Sequence, residues 1–480
     1  MNTQPLYRRY ADHYLGAIKA GSLRQGDRMP SVRVLMRLHG VSLSTAIQVY
    51  RQLETEGWLE ARPRIGYFVR QPYRLPVAPV EEPDISALPD PAQYVGIHAR
   101  VSTFIAKGRQ YPITTDLAVA HGAPELYPEE KLKNAALRIL RRNSRMLVSV
   151  PGHNGSAAFK TVLAKRAVSI GLAIAPEDVL VTHGGTEALN LALRAVAQPG
   201  DTIAVESPTF YGLLQILESL GLRALEIPTS PQTGISIEAL ELAVQTYDNI
   251  KAVVVMPHLQ NPLGSIMPDA HKKRLLQLCE EREIPLIEDD TYGELVESEI
   301  PLTAIKAWDR SGNVIYCTSL DKVLAPGMRL GWMTAGRLQA RVEMLKFAQT
   351  RQNEEWSQIT AAELMGSSAY DRHLRRLRSL LRTQRERTAE AIATYFPQGV
   401  RLSLPNGGVT LWIELPNKLS SEKVFDAALQ EGILIAPGSM FSNSNRFEHF
   451  CRINCGIPYS KDLDHALLRL GQTVARCLRT

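Results

Sequence analysis

The chain has 480 residues, of which 45% are hydrophobic and 22% charged. It is too long for one ordinary domain, too apolar for a disordered chain, and lacks the run of about 18 apolar residues that a membrane helix needs. Residues 1–70 hold 11 Lys plus Arg against 5 Asp plus Glu, a balance of +6 that equals the formal net charge of the whole chain. The remaining residues therefore sum to zero, which excludes a uniformly basic protein and leaves the footprint of a nucleic-acid module on a neutral body. The cysteines, Cys279, Cys317, Cys451, Cys455 and Cys477, are odd in number and show neither a CxxC pair nor His at metal-ligand spacing. They read as reduced thiols of a cytoplasmic protein with no metal site. The opening MNTQPLYRRYADHYLGAIKAG has no signal-peptide core.

In YRRYADHYLGAIKAG, Tyr10, Tyr14, Leu15 and Ile18 fall at helical spacing and Gly21 ends the pattern. A turn-rich LRQGDRMP leads to Pro30 and Ser31, which open a second helix that turns Val32, Leu35 and Met36 inward and stops at Gly40. Ser42 or Ser44 caps a third helix, with Ile47, Tyr50 and Leu53 as the expected buried stripe and Ser44, Thr45, Gln48 and Arg51 on other faces. Two helices joined by about three residues, the second starting with small hydroxyl side chains, form a helix-turn-helix. Short side chains at that N-terminus let the backbone approach phosphate, where the helix dipole also favours anions. WLEARPRIGYFV then reads as a hairpin wing, with Arg62 and Arg64 flanking the turn and Gly66 permitting close approach.

Residues 71–92 carry six prolines without helical or strand periodicity, the mark of an extended spacer. The expected division is a DNA-binding domain over 1–72, a proline-rich linker over 73–110 and an effector domain over 111–480. In the last of these, short apolar runs alternate with amphipathic stretches: DVLVT then EALNLALRAVA, TIAVES then LLQILESLG, AVVVMP then RLLQLCEERE, followed by PLIEDD and VIYCTS. This alternation predicts an α/β fold with a mostly parallel sheet, whose ligands gather at the C-terminal strand ends.

Candidate chemistry falls at those ends. VTHGGTEALN runs a strand into Gly184, Gly185, Thr186 and a helix, a place for phosphate on free backbone N–H groups, although a tight turn needs glycines equally often. Asn261 follows AVVVMP, Asp289 ends PLIED with Tyr292 three residues on, and Ser319, Lys322 and Arg329 follow VIYCT in SLDKVLAPGMRLGW. Together these suit pyridoxal 5'-phosphate (PLP). Its aldehyde needs a lysine amine, its ring nitrogen a carboxylate, and its phosphate needs N–H groups, a hydroxyl and an arginine.

The stretch GDRMPSVRVLMRLHGVSLSTAIQVYRQLETEGWLEARPRIGYFV resembles the GntR-type winged helix, and residues from about 112 onward resemble a fold-type I aminotransferase with a small C-terminal α/β subdomain. Over nearly its full length the chain resembles the MocR subfamily of GntR-type transcriptional regulators. The resemblance implies DNA contacts from Arg33, the start of the recognition helix and the wing, thus from Ser42, Ser44, Thr45, Gln48, Arg62, Arg64 and Gly66. It implies a Schiff base on Lys322, a ring-nitrogen partner in Asp289, and ring-hydroxyl partners in Asn261 and Tyr292. Gly185, Thr186, Ser319 and Arg329 would hold the phosphate, Phe210 would stack on the ring, and Arg452 would bind a substrate α-carboxylate. Three positions depart from the family pattern: Asp321 replaces a small residue before the lysine, Val150 stands where a partner-subunit Tyr is common, and Leu263 replaces Thr. Leu43 also replaces an Arg often found after the cap. The implied function is a PLP-dependent regulator, homodimeric and head to tail, that binds double-stranded DNA and senses PLP or an amino compound. The alternative is a working aminotransferase acting on an amino acid.

Overall fold

The structure is a computed structural model that describes residues 5–62, 65–70, 77–84, 88–150, 155–298 and 300–479. It divides into two compact units, one built on Met1–Leu75 and the other on Pro76–Val296 with Leu302–Thr480.

Among the described residues the small unit has three helices and a hairpin: α1 (Leu6–Lys19), α2 (Val32–His39), α3 (Leu43–Thr55), β1 (Leu59–Arg62) and β2 (Gly66–Val69). Local signals set the helix ends. The Ser31 and Ser42 hydroxyls accept from the N–H groups of Val34 and Thr45, and Gly40 closes α2 in the left-handed conformation that glycine adopts without cost. One core cluster joins Ala11, Tyr14 and Ile18 of α1, Leu35 of α2, and Ala46, Val49, Tyr50 and Leu53 of α3, closed by Leu59 and Val69 of the hairpin. Each large apolar side chain so buried contributes about 1.5–3 kcal/mol. The buried face of α3 differs from the expected one: Ile47 is only half-buried, and Ala46 and Val49 fill the core instead. With the helix starting at Leu43, the spacing 46, 49, 50, 53 is one continuous stripe, and Ile47 lies about 100° round from Ala46. The Tyr50 hydroxyl also donates to the Pro30 carbonyl at 2.5 Å, tying α3 to the turn before α2.

Among the described residues, the large unit is organised by a nine-stranded sheet. Its main path runs Gln93–Tyr94, Arg223–Ser230, Thr202–Ser207, Ile250–Val255, Leu286–Asp289, Val314–Ser319, Gly331–Thr334 and Leu180–Thr182. The four pairings from Arg223–Ser230 to Val314–Ser319 are parallel, and Gly331–Thr334 runs against both of its neighbours. These inner strands are buried on both faces, which is why they read as continuous apolar runs. The helices Gly184–Val196, Tyr211–Ser219 and Asp269–Glu281 follow their strands as expected from the alternation. A second, antiparallel sheet orders Arg401–Leu402, Thr410–Glu414, Phe450–Asn454 and Ala436–Pro437, with the helices Ser421–Gln430 and Lys461–Arg479 beside it in sequence.

Within residues 73–110, Gln93–Tyr94 joins the large sheet beside Arg223–Ser230, and His98–Gly108 is a helix that buries Val101 and Phe104. All five cysteines are buried as thiols outside any disulfide. Among the described residues no helix is long and apolar enough to cross a membrane.

Candidate cofactor site and nucleic-acid interface

Five strands of the large sheet deliver the candidate residues at or just beyond their C-terminal ends. Leu180–Thr182 leads to Gly184, Gly185 and Thr186; Thr202–Ser207 to Phe210; Ile250–Val255 to Asn261; Leu286–Asp289 ends on Asp289; and Val314–Ser319 leads to Lys322. Parallel direction makes this convergence automatic, because parallel strands present their carboxyl ends along one edge.

The glycines allow the strand ends to close up. Gly184 has φ +78°, and a Cβ on Gly331 would sit 2.7 Å from the Gly184 carbonyl carbon and 2.7 Å from the Thr318 oxygen. A Cβ on Gly185 would lie 3.2 Å from Thr291 Oγ1 and 3.5 Å from Ser319 Cβ. The first turn of the helix Gly184–Val196 therefore lies against Ser319 and Thr291, with Gly185 half-buried and Thr186 exposed at its start. Helix N–H groups, the Ser319 hydroxyl and the Arg329 guanidinium make a donor set of the kind that holds a phosphate.

Asp289 is buried, and its Oδ1 accepts from Thr291 N at 3.1 Å and Thr291 Oγ1 at 2.6 Å. Burial pushes its carboxyl up to about 6, against those two bonds and the Lys322 charge. A cationic ring nitrogen beside it would restore the carboxylate. Lys322 has its amine 5.9 Å from the centre of the Tyr292 ring. Burial lowers the pKa of that amine, and the Arg452 and Arg329 charges act in the same direction, opposed by Asp321 and Asp289. A larger share of neutral amine makes Lys322 a better nucleophile for an aldehyde and a better proton carrier.

Arg452 is fully buried. Its Nη1 donates to Asn261 Oδ1 at 3.0 Å, its Nη2 donates to the Ala118 carbonyl, and its Nε has no hydrogen-bond partner among the described residues. The guanidinium lies 4.9 Å from the Phe441 ring centre. A buried cation with an unused donor is poised for a bidentate anionic group such as a carboxylate. Asn261 was expected to face a ring hydroxyl; its carboxamide oxygen is taken by Arg452, and its nitrogen remains a donor. The Tyr292 hydroxyl donates to the Ala120 carbonyl at 3.4 Å. Phe210 is half-buried and lines a small cavity with Glu206, Thr209, Met256, Asn261 and Asp289.

Several neighbours escaped the sequence reading. Glu206 of VESPTF is buried, accepts from Met256 N at 3.0 Å through one oxygen and leaves the other without a partner among the described residues. Burial pushes its carboxyl up to about 8, so it is largely the neutral acid at pH 7. An acid inside an apolar strand was the available signal. Behind Asp289, the Asp290 carboxylate joins His258 Nδ1 at 2.7 Å and accepts from the Tyr316 hydroxyl at 2.8 Å, which fixes the strand end. Val150 is 85% exposed, and Leu263 is buried with its N–H donating to Gln260 Oε1.

In the small unit, Arg33, Ser42, Ser44 and Arg62 are exposed, and Thr45 and Gln48 belong to the same solvent-facing start of α3, Thr45 half-buried. The Ser42 hydroxyl bonds those of Ser44 and Thr45 at 2.8 and 2.9 Å, so the three hydroxyls form one cluster at the start of α3. Leu43 is exposed between them. On the hairpin, Arg62 stacks over Phe68 and bonds Glu60, and the Ile65 carbonyl before Gly66 accepts from Arg28 Nη2 at 2.5 Å. Arg64 lies outside the described residues.

A winged helix-turn-helix joined to an α/β body with a lysine, a carboxylate and a glycine-lined helix N-terminus at its strand ends defines the class. It is a DNA-binding module fused to a PLP-dependent aminotransferase fold. Comparison with known proteins agrees. Residues 6–69 match the gntR family of bacterial regulatory proteins, and residues 120–470 match aminotransferase class I and II. The HTH-type transcriptional regulators YjiR and YdcR of Escherichia coli K12 are 35% and 36% identical, over 96% and 98% of this chain and 97% and 98% of theirs. The crystal structure of LysN, an alpha-aminoadipate aminotransferase from Thermus thermophilus complexed with N-(5'-phosphopyridoxyl)-L-leucine, is 28% identical, with a TM-score of 0.73 over 80% of this chain and 96% of that one. The chain belongs to the GntR-type regulators that carry a class I and II aminotransferase domain, the MocR organisation.

The cofactor of this fold is PLP, which supplies an electron sink conjugated to a bound amine. The residues present fit it: the Gly184 and Gly185 surface would be filled by any Cβ, and Asp289, Lys322 and the donors around Ser319 lie at adjoining strand ends.

Proposed function

We propose that the aminotransferase-like unit acts as a sensor and the winged helix as its output. In this reading Lys322 carries the cofactor, Asp289 holds the ring nitrogen protonated, and Gly185, Thr186, Ser319 and Arg329 hold the phosphate. Tyr292 and the Asn261 amide approach the ring hydroxyl and Phe210 the ring face. Arg452 receives the carboxylate of an amino compound. The observation that carries the reading is the buried Arg452, whose Nε has no hydrogen-bond partner among the described residues and whose Nη1 bonds Asn261 at the end of a central strand. Binding of an amino compound, or of the cofactor itself, changes the populations of the domain's conformations through differential affinity. The output is altered engagement of DNA by two winged helices in a head-to-tail homodimer in the cytoplasm, each reading one half-site. Arg33, the hydroxyl cluster Ser42, Ser44 and Thr45, Gln48, and the wing residues Arg62, Arg64 and Gly66 make the contacts.

A working aminotransferase is the second reading, favoured by the likeness to LysN and by a Lys322 amine able to shuttle protons. Visible absorbance of the PLP-reconstituted protein, titrated with amino compounds, separates the two. A lysine-dependent band that shifts with one compound and persists is the sensor's result. Quantitative conversion to pyridoxamine phosphate with release of a keto acid is the enzyme's.

A further inference from the structure

Arg329, a cation beside the first turn of the helix Gly184–Val196, already has an anion. Its Nη1 donates to Asp321 Oδ2 at 2.6 Å. A Cβ on Gly184 would lie 3.1 Å from Arg329 Nη2 and 3.5 Å from that same Asp321 oxygen, so the carboxylate sits against the start of the helix. Asp321 is only 8% exposed, its N–H donates to Ser319 Oγ at 3.2 Å, and its Oδ1 has no hydrogen-bond partner among the described residues. Arg329 reaches it from a left-handed backbone, φ +49° and ψ +43°, a conformation that a non-glycine residue adopts at a cost. Arg329, next to the helix N-terminus, is thus held by a carboxylate that the chain itself supplies, and the backbone of Asp321, the residue supplying it, bonds the Ser319 hydroxyl.

We propose that Asp321 is an internal competitor for the phosphate cradle, holding Arg329 when the cofactor is away and making the bound cofactor exchangeable. The inference rests on the cofactor reading of the site. A phosphate entering the cradle must share or take Arg329 and lies beside a second negative charge in a half-buried setting, where like charges a few ångströms apart repel strongly. That cost falls on the phosphate and not on the aldehyde, so it weakens PLP without equally weakening pyridoxal, which lacks the phosphate. Occupancy then follows cofactor concentration, a property useful to a sensor.

The test uses the full-length protein and its Asp321→Asn and Asp321→Ser variants, titrated separately with PLP and with pyridoxal. Visible absorbance gives affinity, and dilution gives the release rate. Both variants are expected to bind PLP at least about ten-fold more tightly and release it more slowly, with pyridoxal changed less than about two-fold. Equal gains for both vitamers would overturn the proposal, because Asp321 would then be acting through Lys322. Unchanged or weaker PLP binding in both variants would also overturn it, making Asp321 a positioning partner of Arg329. If wild type and variants, all folded by circular dichroism, bind neither vitamer, the cofactor reading fails and this proposal with it.

Discussion

The two units keep their candidate functional groups in opposite environments. In the winged unit Arg33, Ser44 and Arg62 are exposed, while a separate set around Leu35, Tyr50 and Leu53 holds the fold. In the large unit Arg452, Asn261 and Asp289 are buried and bonded to the framework, so binding and stability draw on the same atoms. A surface that meets a solvated polyanion can keep its side chains in water until contact. A pocket that must desolvate a small ligand has to build its charges into the protein and satisfy them there.

The largest effect expected from this difference is Lys322→Ala, which should abolish the visible band of the lysine-linked cofactor and leave the fold intact by circular dichroism. Arg452→Ala should both abolish the response to amino-acid carboxylates and lower stability by about 2–4 kcal/mol in urea unfolding, since it empties a buried site and strands Asn261 Oδ1. Loss of the response with unchanged stability would break the claim that pocket residues serve both ends. The cofactor-free protein should also lose stability as pH rises toward about 8, because burial raises the Glu206 carboxyl to that value. A raised folded-state pKa gives stability that is complete below the unfolded value and fades as pH passes the folded one. Glu206→Gln should flatten that part of the thermal-midpoint profile.

On the other side, Arg33→Ala should weaken DNA binding by about 1–2 kcal/mol, reduce its salt slope by about one, and leave the thermal midpoint unchanged. Smallest is Ser42→Ala, which removes the cap that accepts from Thr45 N and should cost about 1 kcal/mol of winged-unit stability.

Much of this contrast could be read in the sequence, for physical reasons that differ by region. Caps and strand ends are local: Ser31, Ser42 and Gly40 mark the helices they bound, and AVVVMP, PLIEDD and VIYCTS announce buried strands whose next residues are the candidate site. What could not be read depends on phase or distance. Val49 rather than Ile47 faces the core because the buried stripe is the face that Ala46, Val49, Tyr50 and Leu53 share, and packing against α1 and α2, which no local pattern shows, selects that face. The Arg452–Asn261 bond joins residues 191 positions apart, and no local pattern assigns that partner. The unusual Asp321 was visible, yet only the left-handed turn at Arg329 brings the two together across eight residues.

If the pocket governs the DNA-binding unit, ligand at Lys322 must change the affinity for DNA. The measurement that tests it most directly is the affinity of the full-length chain for a duplex it has itself enriched from a random library. It would be taken at fixed salt with and without PLP and an amino compound that shifts its spectrum, beside Lys322→Ala. Affinity is expected to change several-fold with ligand in the wild type and to stay constant in the variant. Equal affinities in the wild type under all conditions, with the cofactor band present, would contradict it.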